Sequence, residues 1–160
     1  LYSPAAVVAI DLADSRLDAA KRFGADVVIN NTREDPTELL KAMTEGLGAD
    51  VAIEAVGIPD TFELAARLVR PGGTVANVGV HGKPVVLHLE ELWIRNITIT
   101  TGLVDTYSTP TLLKLIKNRQ INAGLFATHR YPLGDFMEAY DVFERASETG
   151  ALKVVLSRTW

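Results

Sequence analysis

Three places in the sequence could bind a nucleotide, because each puts a carboxylate or a glycine directly after an apolar run. Asp11 follows the apolar residues 5–10, and Gly57 and Gly79 end or interrupt two later apolar runs. Open α/β sheets bind ligands beyond the carboxyl ends of their parallel strands. A carboxylate there can accept hydrogen bonds from ribose hydroxyls, and its charge repels a 2′-phosphate. The pattern predicts a nucleotide crevice without naming its ligand.

Asp11 alone does not decide the matter, since an aspartate at this place can equally be a helix cap or a turn residue. In a dinucleotide fold its partner motif, G-x-G-x-x-G, lies about 20 residues earlier in the chain. Only ten residues precede Asp11 in this sequence. We therefore expect that motif ahead of Leu1.

The segment 49–80 predicts one strand–helix–strand unit, which would place both glycine turns at the same edge of a sheet. Its first strand, its helix, its Pro-Gly-Gly stop and its second strand are expected at residues 50–56, 60–69, 71–73 and 74–80. Asp60 and Glu63 have the spacing of a capping box at the start of that helix.

The remaining sequence continues the alternation of strands and helices. Asp14 or Ser15 can cap a helix that ends at Phe23 before Gly24, and Asp35-Pro36 has the form of another helix start. Further strands are expected at residues 5–10, 26–30, 96–101, 125–131 and 152–156, and a helix at 135–147. The pattern predicts an α/β fold with a parallel sheet.

Composition excludes several functional classes. The chain has 160 residues, a formal net charge of −4, no cysteine and three scattered histidines. No basic stripe indicates nucleic acid, and no apolar run approaches the roughly 18 residues of a membrane span. Without cysteines there is no thiolate metal site in this chain. We expect neither a nucleic-acid nor a membrane partner, and a cytoplasmic location.

An ordered series of segments resembles the zinc-type alcohol dehydrogenases of the medium-chain dehydrogenase/reductase superfamily, near the secondary-alcohol and threonine dehydrogenase branches. The series is AVVAIDLADSRLDAAKRFGADVVINN, GADVAIEAVG, LVRPGGTVANVGV, NITITTGLV, THRYPL and GALKVVL. The resemblance implies a Rossmann-type doubly wound parallel sheet that lacks its first strand. Residues 1–124 would be a partial dinucleotide-binding domain, and residues 125–160 a strand-helix-strand tail of the catalytic domain.

By the resemblance, NAD is the cofactor, with Asp11 on its adenosine ribose and Arg16 beside it. NADP-dependent secondary-alcohol members carry Gly-Ser-Arg here, so Asp11-Leu12 favours NAD. Ala55, Val56 and Gly57 would line the cofactor cleft, and Val78, Gly79 and Val80 would pass under the nicotinamide ribose. Gly102, Leu103 and Val104 would meet the carboxamide, and Lys153 would approach the pyrophosphate. Without the family, the apolar residues would be interpreted as strand core and Lys153 as a solvated surface lysine.

The resemblance also implies that zinc ligands precede Leu1, that the substrate of the whole enzyme is a small alcohol or ketone, and that this chain alone is inactive. The strand from Ile97 to Thr101 would pair two copies in a homo-oligomer. A sheet without its central strand exposes two rows of backbone groups, and unpaired buried groups cost roughly 1–3 kcal/mol each. We expect the flanking strands to close that gap directly or a partner chain to fill it.

Three alternatives remain at this point. One is a zinc-independent quinone-type reductase of the same superfamily, which metal ligands upstream would distinguish. Another is a nucleoside-cofactor methyltransferase, because residues 68–73 resemble a loop of that fold and Asp11 suits its ribose. The last is a chain without catalytic function whose edge strand drives self-association.

Overall fold

The computed structural model describes residues 3–103 and 106–158 as an α/β fold in which every strand pair is parallel. The strands are β1 (Val8–Asp11), β2 (Val27–Asn30), β3 (Ala49–Glu54), β4 (Val69–Asn77), β5 (Thr98–Thr101), β6 (Ala127–Pro132) and β7 (Lys153–Ser157). The helices are α1 (Asp14–Arg22), α2 (Pro36–Met43), α3 (Pro59–Leu68), α4 (Leu89–Leu92), α5 (Thr109–Lys117), α6 (Phe136–Glu144) and α7 (Ala146–Thr149). Short 3₁₀ turns occupy Trp93–Arg95, Ala123–Leu125 and Leu133–Asp135.

Internal contacts divide the chain into two units. One comprises Leu1–Arg33 with Thr106–Trp160, and the other comprises Glu34–Asp105. The predicted boundary between residues 124 and 125 stays a prediction.

The second unit is built on a three-stranded sheet in the order β3-β4-β5. Glu54 pairs with Asn77, and Asn77 pairs with Thr101, so all three strands end at one level. Helix α3 and the α4 segment supply most of the core against β4, where Val69 and Val75 are fully buried. The turns that follow Glu54, Asn77 and Thr101 therefore begin side by side at one edge of this sheet.

Helix α3 departs from the predicted capping box. It begins at Pro59, its N-cap residue is Ile58, and no side chain makes a capping hydrogen bond. Asp60 therefore lies inside the first turn, where its charge complements the helix dipole. The prediction that Asp60 caps this helix was wrong, because proline's fixed φ starts the helix one residue earlier.

The end of α3 also differs from the expectation. The helix stops at Leu68 and β4 begins at Val69, ahead of the predicted Pro71-Gly72-Gly73 stop. Those three residues lie within β4, at an irregularity where the pairing jumps from Ala49–Val69 to Val51–Thr74. A bulge accommodates a proline and two glycines that a regular ladder would not.

In the first unit, α1 ends as predicted but is not capped as predicted. The Gly24 N–H donates to the Lys21 carbonyl at 3.0 Å, the Ala25 N–H donates to the Ala20 carbonyl at 3.0 Å, and Gly24 has φ +101°. This is a Schellman motif, which favours glycine. At the other end the N-cap is Ala13, so neither Asp14 nor Ser15 is the cap.

The predicted strands before and after α1 are present as β1 and β2, although β1 begins at Val8 and not at residue 5. In the tail, β6 and β7 pair in parallel, and the predicted helix 135–147 is interrupted at Arg145 between α6 and α7.

Within residues 3–103 and 106–158, the ladders of β1 and β3 extend on one side only, to β2 and to β4. Of the two expected ways to close the gap, direct pairing of the flanking strands is not found among the described residues, and filling by a partner chain stays a prediction. No helix in this described part is long and apolar enough to cross a lipid bilayer.

Candidate functional site

Three turns, at residues 55–57, 78–80 and 102–103, follow the carboxyl ends of the strands in the β3-β4-β5 sheet. We call the surface formed by these three turns the carboxyl edge. The N–H groups of Val78 and Gly79 donate to the Glu54 carbonyl at 2.8 and 3.1 Å, and the Gly102 N–H donates to the Asn77 carbonyl at 3.3 Å. The strand register thus brings together eight of the predicted cofactor residues.

Two of these turns interlock through glycines. A Cβ atom at Gly57 would lie 2.4 Å from the Val80 carbonyl oxygen, and Gly57 also has φ +88°. A Cβ atom at Gly79 would lie 2.4 Å from the Gly57 nitrogen. Real Cβ atoms do not approach backbone atoms so closely, so this packing requires glycine at both positions.

A buried carboxylate, Glu54, lies beneath the two turns. The residue is 3% exposed. Its Oε1 accepts hydrogen bonds from the backbone N–H groups of Val56 and Gly57, both at 2.8 Å, and from the Thr61 hydroxyl at 2.7 Å. One carboxylate oxygen therefore fixes the first turn to the start of α3.

The second carboxylate oxygen faces a histidine from the other turn. Glu54 Oε2 lies 3.3 Å from His81 Nε2, which is also 2.8 Å from Asn77 Oδ1. The Asn77 Nδ2 group donates to the Gly79 carbonyl at 3.1 Å. The Phe62 ring meets the imidazole edge-on, with centroids 6.2 Å apart. The network thus links the ends of β3 and β4 through side chains as well as backbone.

Two buried atoms of this network, Glu54 Oε2 and His81 Nδ1, make no hydrogen bond to the described residues. Native proteins satisfy nearly all buried polar atoms, directly or through water. The network therefore has unused hydrogen-bonding capacity directly under the carboxyl edge.

Opposing effects act on the ionisation of Glu54. Burial is the largest and disfavours the charged form, but the hydrogen bonds from Gly57, Thr61 and Val56, with the attraction of His81, together lower the pKa below its ordinary value. The carboxylate is consequently the form that this site is built to hold.

The apolar side chains of the three turns are not strand core. Val56, Val78, Val80 and Leu103 are 63%, 46%, 82% and 88% exposed. The interpretation of these positions as core is therefore wrong, and the carboxyl edge presents an apolar surface framed by backbone groups, as ligand sites in such sheets do.

In the first unit, Asp11 ends β1 with one carboxylate oxygen engaged and the other largely available. Its Oδ1 accepts the Ala13 N–H at 2.9 Å, and its Oδ2 lies 3.8 Å from Arg16 Nη1. The side chain is 28% exposed. Asp11 is thus a turn residue that keeps an oxygen for a further donor, so the two interpretations of Asp11 are compatible.

Lys153 and Val104 are the last two of the predicted cofactor residues. Lys153 is exposed at the first position of β7. Val104 lies outside the described residues, so its predicted contact with the carboxamide stays a prediction.

Sequence reasoning missed the polar residues beneath the edge: Glu54, Thr61 and Asn77. It counted His81 only among three scattered histidines, without its link to a carboxylate. The available signal was Glu54 itself, a charged residue that closes an apolar strand directly before a glycine turn.

A cavity of about 360 Å³ lies elsewhere in the second unit, lined by Lys41, Arg67 and Arg95 among others. It contains none of the predicted cofactor residues. Across residues 3–103 and 106–158, no group of three or more His, Asp or Glu side chains could hold a metal ion.

Comparison with known proteins gives a family match. The family model described as zinc-binding dehydrogenase matches residues 4–118. An alcohol dehydrogenase from Cupriavidus necator is 33% identical over 154 residues, covering 94% of this chain and 42% of the relative. Human sorbitol dehydrogenase is 29% identical over 154 residues, covering 95% of this chain and 42% of the relative.

Solved structures agree. Zinc-dependent alcohol dehydrogenase 2 from Streptococcus pneumonia superimposes with a TM-score of 0.93 at 44% identity, covering 99% of this chain and 46% of that chain. The alcohol dehydrogenase TADH from Thermus sp. ATN1 gives 0.90 at 31% identity, covering 98% and 45%. The chain therefore spans under half the length of these relatives.

Proposed function

Because the chain belongs to the zinc-binding dehydrogenase family, we propose that it forms the coenzyme-binding part of an NAD-dependent alcohol dehydrogenase. The activity is that of the whole protein, acting on a small alcohol or ketone. The proposal extends the family membership to a cofactor and a reaction.

The observation that carries the proposal is the carboxyl edge. Three parallel strands end in register, and their turns present backbone groups, glycines and exposed apolar side chains at one edge. This is the position at which open parallel sheets bind their ligands. Residues 55–57, 78–80 and 102–103, with Val104, would hold the nicotinamide half of the cofactor.

Asp11 supports NAD over NADP. Its Oδ2 can accept from a ribose hydroxyl while Oδ1 keeps the Ala13 N–H. A 2′-phosphate at the same place would meet the carboxylate charge. Arg16, 3.8 Å from Asp11, would stand beside the ribose, and Lys153 would approach the pyrophosphate.

When bound, NAD accepts a hydride from the alcohol carbon. The residues described would bind the cofactor and orient the nicotinamide through the turns of the carboxyl edge. The described residues offer no set of zinc ligands, so no metal-dependent step is assigned to them. We place the zinc ligands outside this chain.

The outer strand β5 would join two copies. Thr98–Thr101 ends the sheet order on that side among the described strands, and an open edge can accept a second strand. A homo-oligomer formed through Ile97 to Thr101 and a cytoplasmic location complete the proposal.

The test is cofactor binding by the protein expressed from its complete reading frame. Titration with NAD⁺, NADP⁺ and S-adenosylmethionine should show NAD⁺ binding most tightly, and metal analysis should show zinc. Binding of S-adenosylmethionine alone would favour a methyltransferase, and NAD⁺ binding without zinc would favour a zinc-independent reductase. Binding of none, with an intact mass equal to this chain alone, would leave self-association as the function.

A further inference from the structure

We propose that Glu54 is a positioning residue for the cofactor cleft, holding the turn at 55–57 against the turn at 78–80 in the arrangement that the nicotinamide half of NAD requires. This rests on the proposed function. Glu54 would not touch the cofactor, since its side chain is fully buried beneath the turns.

The first argument is that Glu54 fixes both turns at once. Its carboxylate accepts from Val56 and Gly57 in the first turn, and its backbone carbonyl accepts from Val78 and Gly79 in the second. No side chain at Gly57 or Gly79 can serve this purpose, because the close approach of the two turns excludes a Cβ atom. The two turns must therefore be positioned by a side chain beneath them, and Glu54 is that side chain.

The second argument is the chemistry of the carboxylate. Oε1 receives three donors, two of them backbone amides, which suits a charged acceptor. Oε2 faces His81 Nε2, which Asn77 Oδ1 also contacts at 2.8 Å. A glutamine keeps the shape, but its amide NH₂ would face that nitrogen or the three donors. In either orientation the amide NH₂ faces another N–H or O–H donor. If the imidazole changes tautomer so that Nε2 can accept from the NH₂, the unprotonated Nε2 then faces a second acceptor, Asn77 Oδ1.

The third argument concerns what surrounds His81. Among the described residues, its side chain makes polar or ring contacts with Glu54 on β3, Asn77 on β4 and Phe62 on α3. Glu54 is the one charged group among them. The imidazole thus contacts the carboxylate from the residue after the turn at 78–80. We assign His81 the same positioning role.

The experiment compares Glu54→Gln with wild type in the protein expressed from its complete reading frame. Hydrogen exchange of the Val56 and Gly57 amides reports the turn without any cofactor. Calorimetric titration with NAD⁺ reports the whole cofactor, and titration with AMP reports its adenosine half alone. Glu91→Gln is the matched control, because it removes an exposed carboxylate from the same unit.

We expect Glu54→Gln to accelerate exchange at both amides and to raise the Kd for NAD⁺ about tenfold, the scale of one or two lost charge-assisted hydrogen bonds. The Kd for AMP should change less than about twofold, since AMP lacks the nicotinamide half. Glu91→Gln should change none of the three.

Unchanged amide exchange, or unchanged NAD⁺ affinity in a folded variant, would overturn the positioning role. An equal loss of NAD⁺ and AMP affinity would also overturn it, because that pattern indicates a general structural defect. If Glu54→Gln does not fold, Thr61→Val removes one donor only and should move the same readouts in the same direction, and its failure to do so counts against the role. Absence of NAD⁺ binding by wild type, with the exchange effect present, would reject the proposed function separately.

Discussion

The imidazole of His81 and the carboxylate of Glu54 lie 3.3 Å apart beneath the carboxyl edge, with the histidine ring mostly and the carboxylate completely enclosed. They come from the ends of two adjacent parallel strands, so their contact ties those ends together. A buried carboxylate is stable only when hydrogen-bond donors surround it. Glu54 meets that condition at Oε1, and the consequence is testable.

The stability of the fold should depend on the ionisation of Glu54. Its pKa is lower in the folded protein than the ordinary value of 4.5, so its contribution to the free energy of unfolding is fully present above pH 4.5. That contribution is lost as the pH falls through the lower, folded-state pKa. Urea denaturation at a series of pH values from about 6 to 3 should therefore show the difference between wild type and Glu54→Gln shrinking at the acid end.

A difference that stays constant with pH would show that Glu54 gives no ionisation-linked stability. Other carboxylates titrate in both proteins, so their effects cancel in the comparison.

The close packing of the turns predicts a severe effect for Gly79→Ala. The new Cβ would lie 2.3 Å from Glu54 Oε2 and 2.4 Å from the Gly57 nitrogen. Overpacking of this kind costs about 1–3 kcal/mol. Gly82→Ala is the control, because a Cβ there meets nothing within 4 Å. Thermal unfolding should show a lower Tm for the first variant and a near-native Tm for the second.

Local sequence patterns predicted the elements of this fold better than their boundaries. Gly24 and the Asp35-Pro36 pair announced a helix end and a helix start, since each acts through its own backbone preference. The Pro71-Gly72-Gly73 segment misled, because tertiary pairing drew it into a bulged strand. A break in the tail helix at Arg145 had no local signal.

The candidate site divides in the same way. The glycine turns were visible in the sequence because strand ends and glycines are local features. The network of Glu54, Thr61, Asn77 and His81 was not, because it depends on which strand ends are adjacent and in which register. Sheet register is a long-range property, and a shift by one residue would turn Glu54 to the other face.

The two helix starts offer a direct test of capping. Asp35 is the N-cap of α2 and accepts a backbone N–H at 2.8 Å, whereas Asp60 lies inside the first turn of α3 without a capping bond. Asp35→Ala should reduce the free energy of unfolding by about 1 kcal/mol. Asp60→Ala should cost roughly 0.5 kcal/mol or less, through the helix dipole alone. Equal losses by chemical denaturation would contradict the assignment of the caps.

Asp11 should set the choice between NAD and NADP, and Asp11→Asn tests this without disturbing the helix start. The asparagine Oδ1 can still accept the Ala13 N–H, now 2.9 Å away, but the negative charge that opposes a 2′-phosphate is gone. Arg16, which lies 3.8 Å from Asp11 Oδ2, then becomes available to the phosphate. We expect the ratio of the Kd for NADP⁺ to that for NAD⁺ to fall about tenfold, measured by calorimetric titration.

The control is Asp18→Asn, which neutralises an exposed carboxylate on α1, the helix that carries Arg16. This variant should leave the ratio unchanged. If both variants shift it equally, general electrostatics and not a ribose contact explains the preference, and Asp11 has only its local role as a turn residue.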